Sequence, residues 1–106
     1  MQRDQSDGSE PLPFEGLRVL DVSQGIAGPY CAQILWQQGA DVIKVEPPAG
    51  DWGRSIGVHH GQLSALSAVY NAGKRALALD ASTESGKALL LELALQADVV
   101  VQNYRP

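Results

Sequence analysis

Two spacings of apolar residues divide the chain into alternating elements. Compact apolar stretches fall at Leu17–Val22, Asp41–Glu46, Arg75–Leu79 and Asp98–Val101. Between them apolar side chains recur three and four residues apart, so strands are expected to alternate with helices. The first stretch is apolar on both faces apart from Arg18, as in a strand of a parallel sheet covered on both sides. A helix is predicted from Pro29, which suits the first helical position because its missing N–H would be unpaired there. Tyr30, Cys31, Ile34 and Leu35, with Ala27 one turn earlier, form its apolar stripe. Gln33, Gln37 and Gln38 take its wet face, and Gly39 ends it. The second strand, Asp41 to Glu46, stops at Pro47-Pro48-Ala49-Gly50, where proline cannot continue a ladder.

Asp51 to Gly61 has three glycines and no clear period, which predicts a loop. Gln62 to Asn71 carries Leu63, Leu66 and Tyr70, a short helical stripe stopped near Gly73. Arg75 to Leu79 alternates Ala and Leu and is the third strand. Ser82 or Thr83 caps the next helix, with Glu84 in its first turn. Leu89, Leu90, Leu93, Ala94 and Ala97 are its expected buried face. Asp98 to Val101 is the fourth strand.

This βαβαβαβ pattern predicts an α/β fold, a Rossmann-like parallel sheet with right-handed crossovers and strand order 3-2-1-4. The topological switch point then lies between the first and fourth strands, where ligands bind outside the carboxyl ends. The loops meeting there are Ser23–Gly28 and Asn103–Arg105.

Composition narrows the classes. A length of 106 residues allows one domain, and 44% hydrophobic with 19% charged residues describes a globular chain. Residues 1–13 are polar and proline-bearing, a flexible tail before a domain spanning 14–106. The net charge of -4 argues against a nucleic-acid partner. No apolar run approaches the roughly 20 residues of a membrane span. With no targeting segment either, a cytoplasmic setting is expected. The single cysteine, Cys31, excludes an internal disulfide and a cysteine-rich metal site.

Gly25-x-x-Gly28-Pro29 joins a strand to a helix start, a place suited to an anion and equally to a plain tight turn. It lacks both the phosphate-loop lysine motif and the G-x-G-x-x-G fingerprint. Glu46 follows Gly25 by roughly twenty residues, where a dinucleotide fold keeps its ribose-binding acid. A dinucleotide-binding module using Gly25, Gly28 and Glu46 is therefore a rival reading. Asn71-Ala72-Gly73-Lys74-Arg75 pairs two cations with a glycine, fit for phosphate or simply solvated. In Asn103-Tyr104-Arg105, Tyr104 can stack on a base and Arg105 can pair with a phosphate. Cys31 reads as a packed thiol, Trp36 and Trp52 as packing residues. His59-His60 lacks a third metal ligand at a recognisable spacing.

The motif order resembles the opening of the family III CoA-transferases, the carnitine-type family that includes the α-methylacyl-CoA racemases. The resemblance rests on Gly16-Leu17-Arg18-Val19-Leu20-Asp21, Ala27-Gly28-Pro29-Tyr30 and Gly39 through Pro48. Gly50-Asp51, Asn71-x-Gly-Lys74-Arg75-x-Leu-x-Leu79-Asp80 and Ala97 through Pro106 complete it. It implies a domain that binds the coenzyme A part of an acyl-CoA, in an enzyme passing CoA to a carboxylic acid through a series of aspartyl mixed anhydrides and an aspartyl-CoA thioester. Gln24, Gly25, Ile26, Ala27 and Gly28 would line the thioester and pantetheine side. Asn71, Gly73, Lys74 and Arg75 would take the adenosine and phosphates. Asn103, Tyr104 and Arg105 would complete the pocket, with no metal.

No catalytic residue is carried over, because the family's nucleophilic aspartate lies downstream of the Asn-Tyr-Arg-Pro motif. The resemblance therefore implies an inactive N-terminal segment of a longer, homodimeric enzyme. The alternatives are a racemase-like member, the dinucleotide module above, and a non-catalytic dimerising module.

Overall fold

The computed structural model describes residues 10–61 and 63–106. Strand β1 (Arg18–Asp21) leads through a glycine-bearing turn to helix α1 (Ala27–Gln37) and strand β2 (Asp41–Glu46). A single 3-10 turn (Trp52–Ser55), the short strands β3 (His59–His60) and β4 (Leu63–Ser64) and helix α2 (Ala65–Tyr70) follow. Strand β5 (Arg75–Ala78), helix α3 (Glu84–Gln96) and strand β6 (Val99–Val101) complete the fold. The main sheet has the order β5-β2-β1-β6 and all its pairings are parallel. Counting only the four strands read from the sequence, this is the expected order 3-2-1-4. β3 and β4 form a separate antiparallel pair; the pattern reading had a loop and the start of a helix in this region. Residues 1–9 of the expected tail, and Gln62, lie outside the described residues.

Strand alternation sends successive side chains to opposite faces. Val19 and Val42 turn toward α1 and pack on Ala32, Trp36 and Ala40. Leu20, Val22 and Val45 turn to the other face, where Leu90, Leu93, Ala94 and Ala97 meet them. Leu89, expected in that face of α3, is instead exposed. α3 is capped by Thr83, whose hydroxyl accepts from Gly86 N at 3.0 Å.

Helix α1 differs most from its expected form. It begins at Ala27, so Pro29 is its third residue. Proline is tolerated there too, since none of the first four N–H groups has an intrahelical partner. The buried face is Gly28, Pro29, Ala32, Gln33 and Trp36, while Tyr30, Cys31 and Ile34 are exposed. The small residues let the helix lie close to the sheet, and the Trp36 ring fills the space beyond them. Gly73 is what admits that ring, because a Cβ there would overlap the indole.

Candidate functional site

The carboxyl ends of β1 and β6 are joined by a side chain acting as a strand. Asn103 Oδ1 accepts from Gln24 N at 3.1 Å, and Asn103 Nδ2 donates to Gln24 O at 2.7 Å. The amide thus reproduces the two bonds of a ladder pair just where the ladder has ended. Val22 N, donating to Val101 O at 3.0 Å, is the last backbone bond before it. Gly28 lies under this clasp: a Cβ would overlap Ser23 and come 3.4 Å from Asn103 Nδ2. Gln24, Trp52, Asn103, Tyr104 and Arg105 line a cavity of about 320 Å³ at this point.

A buried charge cluster supports the turn from below. Asp21, Lys44 and Glu46 all lie on the α1 side of the sheet, beyond the apolar pair Val19 and Val42. Lys74 Nζ donates to Asp21 Oδ2 at 2.8 Å, Pro29 O at 2.9 Å and Asn71 Oδ1 at 2.8 Å. Its side chain is 1% exposed. Burial lowers the Lys74 pKa, and Asp21 opposes that shift. Lys44 Nζ pairs with Asp51 at 2.8 Å, donates to Ser23 O at 3.2 Å and lies 4.0 Å from Asp21. The other Asp21 oxygen accepts from Ser23 N at 3.0 Å and from the Ser23 hydroxyl. Among the described residues no buried side-chain nitrogen or oxygen lacks a hydrogen-bond partner, the condition under which a buried polar network is tolerated.

Glu46 closes the same layer. Its Oε2 accepts from Asp51 N at 2.9 Å and Arg54 Nε at 2.8 Å, and its Oε1 accepts from Arg54 at 2.6 Å. The Arg54 hydrogen bonds hold the carboxyl below its ordinary pKa, against the opposing effect of burial. Both Glu46 oxygens are therefore already engaged by the protein. A second cavity, of about 330 Å³, lies beside Glu46 and Arg54 at the carboxyl ends of β2 and β5.

The structure gathers only part of the residue set picked out from the sequence. Gln24, Asn103, Tyr104 and Arg105 share one cavity, while Gly25 is buried against Trp52 and Gly28 lies against Ser23 and Asn103. Ile26 and Ala27, at the helix start beside it, are exposed. Asn71 and Gly73 lie between α2 and β5, where Asn71 accepts from Lys74 and Gly73 packs on Trp36. Arg75 leaves the crevice altogether. It begins β5 and forms a fork on the carboxylate of Asp41, which begins β2, so both lie at the amino ends of the strands. His59 sits in the β3 pair with its ring nitrogens 2.8 Å from Gly57 O and 2.7 Å from Arg54 O. Among the described residues no group of three His, Cys, Asp or Glu could hold a metal ion. No helix there is long and apolar enough to cross a membrane.

Sequence reasoning leaves Lys44, Asp51 and Arg54 out of the site and takes Trp52 as a packing residue, whereas Trp52 both packs on Gly25 and lines the cavity. A signal existed for Lys44, because strand alternation puts Lys44 and Glu46 on the same face as apolar Val42. Trp52 carried none, since its partner is the bare Cα of Gly25 in a distant turn.

Comparison with known proteins gives a consistent family. The profile described as CoA-transferase family III matches residues 14–106. The succinyl-CoA:L-malate CoA-transferase alpha subunit of Chloroflexus aurantiacus is 38% identical over 104 residues, covering 93% of this chain and 24% of that one. The succinyl-CoA:mesaconate CoA-transferase of Haloarcula hispanica is 45% identical over 97 residues, covering 87% and 24%. Among solved structures, a CAIB/BAIF family protein from Brucella suis superposes with a TM-score of 0.81 at 38% identity, covering 90% of this chain and 26% of that one. Rv3272 from Mycobacterium tuberculosis gives 0.81 at 42% identity, covering 92% and 27%. The chain spans about a quarter of the length of the curated relatives it matches.

Proposed function

The chain belongs to CoA-transferase family III, and from that premise we propose that its carboxyl-end crevice binds the coenzyme A part of an acyl-CoA. The longer enzyme would pass CoA to a carboxylic acid, working as a homodimer in the cytoplasm. The names of two relatives support transfer over the racemase alternative, since they pair succinyl-CoA with a carboxylic acid, malate or mesaconate. The nucleophilic aspartate of the family belongs to a downstream segment in this reading, and the residues of the crevice bind and orient without forming or breaking covalent bonds.

The observation that carries the reading is the Asn103–Gln24 clasp at the switch point, with its cavity walled by Trp52, Tyr104 and Arg105. Tyr104, 60% exposed, offers a ring face for stacking, and Arg105 offers a charged donor fork to a phosphate. Gln24 to Gly28 take the pantetheine side. Lys74 acts beneath them: its ammonium, surrounded by three acceptors, holds Asp21 and the first turn of α1. We assign Asn71 and Lys74 this supporting role in place of a direct phosphate grip. A dinucleotide reading would need Glu46 for a ribose, and its oxygens are held by Arg54 and Asp51 N.

The test is a titration of the chain with CoA, followed by backbone amide NMR. Shifts at Gln24–Gly28, Trp52 and Asn103–Arg105 are expected. Asn103→Ala and Tyr104→Ala each weaken binding about tenfold, the effect of one lost hydrogen bond or stacking contact. Excess NAD leaves the CoA-shifted amides in place. Unmoved amides in both loops overturn the reading, and displacement by NAD restores the dinucleotide alternative.

A further inference from the structure

One carboxylate ties two parts of the crevice wall together. Asp51 is 3% exposed. Its Oδ1 accepts from Gly25 N at 2.7 Å and from Gly53 N at 2.8 Å, while Oδ2 faces Lys44 Nζ at 2.8 Å. The first bond fixes the glycine turn after β1. The second caps the 3-10 turn that carries Trp52. Trp52 lies so close to Gly25 that a Cβ at position 25 would overlap atoms of its six-membered ring. The same indole is 51% exposed and lines the cavity with Gln24, Asn103, Tyr104 and Arg105. Its position is therefore set from behind, while its open face remains free for a ligand.

We propose that Asp51 is the positioning residue of the crevice, holding Gly25 and Trp52 in mutual register so that the indole forms a fixed ligand-facing wall. Lys44 orients it by engaging Oδ2, which leaves Oδ1 turned to the two amides. Glu46 and Arg54 reinforce the arrangement through Asp51 N and the end of the 3-10 turn. Asp51 touches no ligand in this scheme; Trp52 does. The identity of that ligand as CoA rests on the proposed function above, whereas the clamp itself is measurable without any ligand.

The experiment compares two doubly substituted chains of equal charge, Asp51→Asn with Lys44→Met and Asp51→Ala with Lys44→Met. Both remove the buried ion pair together, avoiding an unpaired buried charge. Asparagine retains an oxygen for the two amides, whereas alanine removes that oxygen together with most of the side chain. With asparagine, protection of the Gly25 amide from hydrogen exchange and the Trp52 indole N–H resonance stay near those of the unaltered chain. With alanine, Gly25 protection falls about tenfold or more, the effect of losing a buried hydrogen bond. CoA affinity falls with alanine and is rescued by asparagine, even where urea midpoints of the two are equal. Identical behaviour of the two chains at Gly25 and Trp52 overturns the proposal.

A scalar coupling across the hydrogen bond, from Gly25 nitrogen to the Asp51 carboxyl carbon, decides the matter in the unaltered chain should either variant fail to fold. Its absence also overturns the proposal. Failure of the unaltered chain to bind CoA removes the proposed function and leaves the clamp to be judged on exchange and coupling.

Discussion

Gly25 combines a φ of +87° with an aromatic ring lying where a side chain would begin. Each condition alone favours glycine, and together they admit nothing larger. Gly25→Ala is therefore expected to lower stability by about 2 kcal/mol or more, through backbone strain and displacement of Trp52. Urea denaturation measures it, and a loss under about 0.5 kcal/mol, the range of a neutral surface change, contradicts the packing. At this scale the sequence was only partly legible. The glycine turn could be read as a place of close approach, but what approaches is the protein's own Trp52. Lys74 and Arg75 are adjacent in sequence and go to opposite ends of the strands, because a side chain's reach depends on which acceptors the fold brings near. Asp21 and Pro29 O draw Lys74 toward the crevice; Asp41 draws Arg75 away from it.

Elements were easier to read than side-chain roles, and the reason differs between helices. In α3 the leucine stripe, Thr83 and Glu84 all indicate the same helix, and the structure gives Glu84–Gln96 with Thr83 as its cap. Thr83→Ala should cost about 1 kcal/mol, the usual effect of removing a hydroxyl cap, read as a lowered urea midpoint. In α1 the large apolar residues misled, because the helix presses its small residues against the sheet and leaves Tyr30 and Ile34 outward. Close approach favours Gly28 and Ala32 over bulkier neighbours, a preference that pattern counting assigns to the wrong face. Tyr30 is not idle there: its ring packs edge-on against Tyr70 at 5.4 Å between centroids. The 3-10 turn and the β3–β4 pair left almost no pattern, being too short for any period to register.

For the molecule as a whole, the sheet order follows from the alternation of strands and helices, and the crevice follows from the sheet order. What the whole molecule adds is a layer of charges under that crevice, and this makes stability depend on pH. Glu46 has a folded pKa below its ordinary value of 4.5, with Arg54 as the leading cause. A depressed carboxylate stabilises the fold above its unfolded pKa, and that contribution disappears as pH falls through the lower folded value. Glu46→Gln should accordingly cost about 1 kcal/mol at neutral pH, in keeping with a pair whose arginine is half exposed. The gap between variant and parent should close as pH drops below about 4.5. Urea titrations at about pH 7 and about pH 3.5, on either side of that ordinary value, measure the gap before and after its loss has begun. A gap constant across that range contradicts the ion pair.

The sequence by itself determined the α/β class, the parallel order of four strands, the placement of the switch-point loops and the family resemblance. Each rests on local periodicity or on motifs whose spacing is linear, so chain order suffices to read them. Tertiary structure alone decided that Lys74 is interior, that Arg75 faces the other end of the sheet, that Glu46 belongs to Arg54, and that Asp51 reaches Gly25 and Trp52. These outcomes depend on which charges lose their water together and must then find partners across distant segments. That pairing is set by three-dimensional proximity and by the cost of burying an unmatched charge.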